Sequence, residues 1–553
     1  MGERHAQSSY DEPLMISIGP SGETVIRNEE MGRLSYQLPQ RCFATELPAL
    51  LRACDAEWIF LYLSDEPEDF CLRNDVKQAL ADDSFDAALF DEVWPDGTML
   101  RYADDDAMIP YSLTGNGPSN LLIRRQKLLS VWEQRVDPIS TLPELVLEVV
   151  AQGIALRKLG RGSLYAHGSY LPVTHARQDA REQKRILVVS HELSRTGAPL
   201  VLAEACLNVL RPQGYQMMVL SPSDGPVADM YMKGGISVMI QPDLLRMDSD
   251  AISRIALGFD LVFICTIVPY ACVWLLNGLS NVQVMWWVHD CKLGYQSIGQ
   301  LMPARISDNI HVFCGGEYEL NVLKEFCPAY DASVLLYGVK DRNPDVKLYR
   351  QGKPPLQFAS IASVENRKGQ DILAQAIELL DRQTRAKCHF LFIGSVLEQS
   401  IFDHVQEVMD RYPDNVTYRK NIPRDELDQI YQSSDCIVCC SRDDPMPAFV
   451  AESMMFGRPV ICSEHTGFIG LIQDGENGFL YRNDDPKELA KCITAFTKLS
   501  EKQRVKISRE ARKCYETHFS IPRCEQALLA AVEDSLQGKS AREESVKGRK
   551  AAV

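Results

Sequence analysis

From residue 185 to about 535 the chain repeats one phrase. A short run rich in Val, Ile, Leu and Phe leads into a polar or glycine-bearing turn, and a longer stretch with helical spacing follows. Strands are expected at 185–190, 217–220, 261–265, 282–288, 311–314, 356–361, 389–393, 436–439 and 459–462. Most of the intervals hold a crossover helix, so neighbouring strands run parallel and need helices on both faces. Some 350 residues exceed what one doubly wound sheet takes. Two such domains are therefore expected, hinged near Val334-Leu-Leu-Tyr-Gly338-Val339, where a strand ends in glycine.

Charge narrows the function. With 59 Lys and Arg against 75 Asp and Glu the formal charge is −16, which argues against a nucleic-acid-binding role and makes any basic site local. The 17 cysteines follow no regular spacing and no signal peptide precedes the domains, so a reducing cytoplasm is expected. Cys436-Ile-Val-Cys439-Cys440 has Cys-x-x-Cys spacing, but it lies in a strand-like apolar run and reads as core. The uncharged segment 261–279 is divided by Pro269 and reads as strand, turn and buried helix rather than a membrane span.

The chemistry gathers in loops after strands. Asp444-Pro-Met-Pro-Ala-Phe-Val-Ala-Glu452 continues as Ser-Met-Met-Phe-Gly457-Arg-Pro-Val-Ile. Pro447 suits a first helical position and Gly457 a C-terminal cap, so Asp444 sits on the loop feeding a short helix and Glu452 lies inside it. A helix start offers N–H groups to an anion such as a diphosphate, whereas carboxylates suit hydroxyls, which sugars supply. Two solvated acids on a surface helix are the plainer reading. In Glu365-Asn-Arg367-Lys368-Gly369 two cations and a glycine fill a strand-to-helix turn; Lys as a point charge and Arg as a fork both suit a diphosphate. His191-Glu-Leu-Ser-Arg-Thr-Gly197 follows the first strand, with a helix expected near Pro199. His289-Asp290 closes the strand Val284-Met-Trp-Trp-Val, at the carboxyl end where open α/β sheets bind ligands. Cys462-Ser-Glu-His-Thr466-Gly467-Phe468 and Asp474-Gly-Glu-Asn-Gly478-Phe complete the series.

These segments, in this order over about 185–500, resemble the retaining glycosyltransferases of family 4, which have the GT-B fold of two Rossmann-like doubly wound domains facing a cleft. The family's usual signature is Glu, seven residues, Glu, then Ala-Met-Ala-x-Gly-x-Pro-Val. Here Asp444 replaces the first Glu, Pro447 a Gly and Ser-Met-Met-Phe the small-residue run. Pro447 lacks an N–H, leaving the Met446 and Ala448 amides to face the donor. The family's upstream Arg is also missing, with Ala362 and Ser363 at its place, and Arg367 is the candidate to compensate. The resemblance implies a nucleotide-sugar co-substrate, no other cofactor and no metal. It casts Lys368 with Arg367 on the diphosphate, Thr466 and Gly467 beside it, and Glu452 on the ribose hydroxyls. Asp444 would hold the transferred sugar, while His289 and the Gly197 loop would face it from the first domain.

The expected division is 1–180, an α/β extension; 181–340, the acceptor-side domain; 341–535, the nucleotide-sugar-binding domain; and 536–553, a disordered Glu-, Lys- and Arg-rich tail. Within the extension, Glu57-Trp-Ile-Phe-Leu-Tyr-Leu63 runs into Ser64-Asp-Glu-Pro-Glu-Asp69, which loosely resembles the acidic turn of a degenerate family 2, GT-A-type domain. Resemblance to bacterial proteins that build surface polysaccharides implies a glycan or lipid-linked acceptor and contact with the inner membrane face from the cytoplasm. Two other classes stay open: a non-catalytic GT-B scaffold that binds glycan or partner subunits, and a nucleotide-sugar epimerase.

Overall fold

The computed structural model describes residues 14–19, 26–28, 35–39, 43–54, 56–63, 85–93, 97–102, 120–134, 139, 142–152, 154, 156–158, 164–165, 184–249, 251–344, 355–420 and 422–538. The acidic segment 64–69 and residues 539–553 of the expected tail lie outside them. The chain divides into two compact units, one of residues 1–195 and 210–263, the other of 196–209 and 264–553.

The first unit holds β1 (Leu14–Gly19), β2 (Ile26–Asn28), β3 (Ser35–Pro39), β4 (Trp58–Leu63), β5 (Ala87–Leu89), β6 (Glu92–Val93), β7 (Met99–Arg101), β8 (Asn120–Arg124), β9 (Leu156–Lys158), β10 (Leu164–Tyr165), β11 (Arg185–Val189), β12 (Gln216–Ser221) and β13 (Ser237–Ile240). Seven of them form a mixed sheet in the order β2-β3-β1-β4-β8-β5-β9. Its strand β4 is buried from Trp58 to Tyr62 and lies between β1, parallel, and β8, antiparallel, which is why it reads as an unbroken apolar run. The others run β10-β6-β7-β13-β12-β11. Residues of the expected extension thus join the first Rossmann-like sheet, β7 pairing antiparallel with β13. Buried Arg101 on β7 fastens the join: it binds Asp224 at 2.7 Å and Asp229 at 2.9 Å, with Asp91 at 4.0 Å.

After residues 196–209 the second unit resumes inside β14 (Leu261–Cys265) and continues with β15 (Gln283–Val288), β16 (Ile310–Cys314) and β17 (Ala332–Val334), paired in parallel from β15 to β17. The stretch after Pro269 is the helix Tyr270–Leu276, and no described helix is long and apolar enough to cross a membrane. A second sheet contains β18 (Leu356–Ile361), β19 (Cys388–Ile393), β20 (Val416–Arg419), β21 (Cys436–Cys439), β22 (Val460–Ser463) and β23 (Gly478–Tyr481). Its order is β20-β19-β18-β21-β22-β23 and every pairing is parallel. Chain order reverses between β18 and β21, which is where doubly wound sheets open a crevice at the carboxyl ends of their strands. Cys436 and Cys440 pack in the core beneath, with Phe358, Phe390 and Phe496.

All nine expected strands form. Among the described residues from 185 onward four more appear, β13, β17, β20 and β23; each is only three or four residues long, too short to show a period of its own. Pro447 stands at the N-cap of the helix Ala448–Met455, one residue before the position expected for it. Gly457, at φ 65°, takes the left-handed turn that ends this helix.

Candidate functional site

Two loops meet at the switch point. Gly369, at φ 66°, ends the turn after β18, and a Cβ there would lie 2.0 Å from the Cys440 carbonyl oxygen. Only glycine lets this turn press on the end of β21, and the contact puts Lys368 beside the loop that carries Asp444. Lys368 Nζ donates to Asp444 Oδ2, the two side chains being 13% and 6% exposed. Arg367 Nη1 stands 3.8 Å from Asp444 Oδ1 and donates to the Asp443 carbonyl at 3.3 Å. Ser441 Oγ adds a hydrogen bond to Asp444 Oδ2 at 3.1 Å. Burial works against the Arg367 charge, and Asp444 and Glu365 outweigh it, so the guanidinium is held above its usual range.

The Thr466–Gly467 turn closes on the same loop. Asp444 and Thr466 form a parallel bridge, the Asp444 amide donates to the His465 carbonyl at 3.1 Å, and the Gly467 amide to the Asp444 carbonyl at 3.2 Å. A Cβ on Gly467 would lie 1.9 Å from the Pro445 carbonyl oxygen and 2.9 Å from Met446 Cε, so glycine is required by space. Arg367, Lys368, Asp444, Met446, Thr466 and Gly467 are therefore one cluster. Ala448 opens the following helix, and Glu452 sits on it, buried, accepting from Tyr431 Oη at 2.8 Å with Arg342 Nη2 at 3.4 Å.

Residues before the hinge reach this cluster within the same unit. Asp443 accepts from the Lys292 amide at 3.3 Å and the Leu293 amide at 2.9 Å, at the start of the helix Lys292–Ile298, and from Tyr318 Oη at 2.7 Å. Tyr337, from the expected hinge, donates to the Met446 carbonyl at 3.1 Å. Its ring centroid is 6.5 Å from that of His289, which in turn lies 4.4 Å from Trp287. Burial pushes His289 down to about 3 and Asp290 up to about 7, the latter against hydrogen bonds from the Ile267 and His289 amides. The Ile267 amide, 2.7 Å from Asp290 Oδ2, is aimed by Thr266, a β-branched residue held at φ 68°.

Gly197 is the first residue of the helix Gly197–Ala205, with nothing within 4 Å of where a Cβ would stand. No described contact joins it to His289 or Asp444. Reasoning from the sequence missed Asp443, Ser441, Tyr318, Glu319, Tyr337 and Arg342. One signal was there to use: Gly315-Gly316-Glu-Tyr-Glu319 repeats the strand, glycine, helix phrase at the end of β16.

Comparison with known proteins bears on the family and the fold. Residues 341–514 match the family described as glycosyl transferases group 1, and residues 182–309 match glycosyl-transferase family 4. Spore coat protein SA of Bacillus subtilis is 26% identical over 172 residues, 30% of this chain and 45% of that protein. Amylovoran biosynthesis glycosyltransferase AmsK of Erwinia amylovora is 26% identical over 206 residues, 35% of this chain and 48% of that protein. The chain thus spans about half the length of the curated relatives it matches. Among solved structures, Anabaena HepE in complex with UDP-glucose superposes with a TM-score of 0.51 at 17% identity, covering 64% of this chain and 100% of that one. A glycosyltransferase from Rickettsia africae gives 0.53 at 17% identity, covering 64% and 99%. These two share the fold.

Proposed function

From the premise that residues 182–309 and 341–514 make this chain a family 4-like glycosyltransferase of the GT-B fold, we propose that it moves a sugar from a nucleotide-sugar donor to a glycan or lipid-linked acceptor, with retention of configuration. The observation that carries this is the cluster at the switch point, where Lys368 and Arg367 stand against Asp444 beside the Thr466–Gly467 turn. The donor's diphosphate lies on Lys368, Arg367 and the amides of that turn, and Glu452 takes the ribose hydroxyls. Asp444, released in part from Lys368 as the diphosphate takes over the cation, holds hydroxyls of the sugar with the Met446 and Ala448 amides. The acceptor oxygen forms a bond to the anomeric carbon as the bond to the diphosphate breaks. The acceptor proton passes to a phosphate oxygen, and the two cations stabilise the departing charge. His289 and the Gly197 loop face the sugar, and closure excludes water. No metal or further cofactor enters this scheme, since the protein's own cations supply the positive charge.

Polysaccharide synthesis at the cytoplasmic side of the inner membrane suits the amylovoran relative, and acceptor docking suits the extension. The scaffold reading draws on one observation, that Asp444 is already saturated by Lys368, Arg367 and Ser441.

A thermal-shift screen with UDP, GDP, dTDP and ADP tests the proposal on wild type, Lys368→Ala and Glu452→Ala. A ligand at about a hundred times its Kd stabilises by about 2.7 kcal/mol. A shift with one nucleotide, lost in both variants, supports the transferase site. No shift with any nucleotide in the wild type would overturn it in favour of the scaffold.

A further inference from the structure

Glu452 is held from two sides. Tyr431 Oη donates to its Oε2 at 2.8 Å, and Arg342 Nη2 stands 3.4 Å from its Oε1. The second contact is one of charge, since Nη2 is buried and has no hydrogen-bond partner among the described residues. The side chains of Arg342, Asp428 and Glu452 are 20, 23 and 10% exposed, so water and salt screen their charges little.

Arg342 is itself fixed. Its Nε donates to both oxygens of Asp428, at 2.9 and 3.1 Å, and its amide to Met455 Sδ at 3.2 Å. Its guanidinium carbon lies 5.8 Å from the ring centroid of Phe456, and that ring stacks on Tyr431 at 5.3 Å. Asp428 and Tyr431 are three positions apart on the helix Arg424–Ser433 and so share a face. Glu452 and Met455 come from the helix Ala448–Met455. Arg342 thus closes a ring of contacts between two helices, with Nη2 as the end turned to Glu452.

The backbone that carries Arg342 is pinned as well. The Val339 amide donates to the Phe519 carbonyl at 2.7 Å, Tyr515 Oη donates to the Val339 carbonyl at 2.8 Å, and Asp341 accepts from Arg512 Nη1 at 3.1 Å. Five positions before Arg342, Tyr337 donates to the Met446 carbonyl. One short stretch therefore touches both the loop that carries Asp444 and the helix that carries Glu452. A cation on so fixed an origin sets where its partner carboxylate stands.

We propose that Arg342 is a positioning residue for ribose: it holds the Glu452 carboxylate where that acid accepts from the ribose hydroxyls, and so sets a preference for ribose over deoxyribose. The ribose rests on the glycosyltransferase reading of Glu452. A carboxylate discriminates a hydroxyl from a hydrogen only if it stays within hydrogen-bond reach. Asp428 and Glu452 share the Arg342 cation, and without it their like charges turn Glu452 away from the sugar.

The test is the ratio of affinities for a nucleoside diphosphate and its 2′-deoxy form. Calorimetry on the full-length protein measures it with UDP, GDP and ADP and their 2′-deoxy counterparts. A hydrogen bond to a charged group separates two ligands by about 10- to 100-fold, and wild type should prefer the ribose form of its nucleotide by that much. Arg342→Met keeps the stem and loses the charge. It should cut the preference to about 3-fold or less by weakening the ribose form, with the deoxy form nearly unchanged as proof that the site is folded. If Arg342→Met does not fold, because two carboxylates are left without their cation, Arg342→Met with Asp428→Asn relieves the repulsion and is read in the same way. Glu452→Ala should abolish the preference alone, and adding Arg342→Met should change nothing further, since Arg342 acts through that acid. A preference that survives in the Arg342 variants overturns the proposal. So do an equal loss for both forms, additive losses in the double variant, and a wild type that binds both forms alike or a deoxynucleotide alone. A wild type that binds no nucleoside diphosphate overturns the glycosyltransferase reading, and this proposal falls with it.

Discussion

Asp444 and Glu452 each meet an opposite charge, whereas Glu319 and His289 Nε2 meet no hydrogen-bond partner among the described residues. Lys368, Arg367 and Ser441 converge on one carboxylate, and Arg342 and Tyr431 reach Glu452. Beside them in the same unit Glu319 and His289 Nε2 are buried without hydrogen-bond partners among the described residues, and both groups are shifted toward neutrality. In the proposed reaction the two regions would solve different problems. A diphosphate arrives with its own charge, so its cations need a placeholder that can give way. A sugar is neutral, and a neutral, desolvated wall can hold it without competing with water.

The largest test of this contrast removes the cation. Lys368→Ala leaves buried Asp444 with Arg367 as its remaining cation and Ser441 as a hydrogen-bond donor, and breaking such a pair from one side should cost about 3 kcal/mol of stability. Denaturant titration reads that loss, and calorimetry with UDP should show affinity falling by at least about 100-fold. Removing Asp444 as well should restore most of the stability but none of the affinity. If Lys368→Ala is as stable as wild type, the pair is a surface feature and the contrast fails.

The paired side was legible in the sequence because its parts lie in short local phrases. Arg367-Lys368-Gly369, Asp444 to Glu452 and Thr466-Gly467 each follow a strand, and parallel topology brings strand ends together without any knowledge of long-range contacts. The unpaired side was only half legible. His289 closes a strand and stands out for that, but Glu319 looks like one of two acids in the first turn of an ordinary helix. Its burial depends on two glycines, Gly315 and Gly316, and on Met446, which lies 127 positions further along the chain, and no local pattern encodes that. The joining of β7 to β13 was hidden for the same reason, since a three-residue strand shows no periodicity and its partner lies far away in sequence.

The second test is pH. The native Glu319 holds a proton up to about 8, while the unfolded chain releases it near about 4.3. Between those values the native state binds more protons, so stability falls as pH rises and the fall ends above about 8. His289 acts in the opposite sense: with its pKa lowered to about 3, it adds stability as pH rises toward about 6.5 and nothing beyond. Asp290, raised to about 7, shares the direction of Glu319 but finishes earlier. From pH 6.5 to 8 the wild type should therefore lose about 2 kcal/mol relative to Glu319→Gln, measured by denaturant unfolding at each pH. Parallel curves for the two proteins would mean that Glu319 finds a partner and that the two regions are alike.

The smallest expected effect on stability separates fold from function most cleanly. Gly369 and Gly467 are locked by backbone oxygens that would lie 2.0 and 1.9 Å from an added Cβ, so alanine at either must disturb the paired side itself. Gly197 has open space where its Cβ would stand and no left-handed φ, so Gly197→Ala should change stability by less than about 0.5 kcal/mol. Its proposed task is to let the helix Gly197–Ala205 come close to the sugar, and a methyl group there takes up that space. The expected result is an unchanged Tm and unchanged UDP affinity, with a higher KM for the nucleotide sugar. UDP carries the diphosphate but no sugar, so a parallel loss of UDP affinity would place Gly197 with the paired side. Unchanged kinetics would remove it from the site.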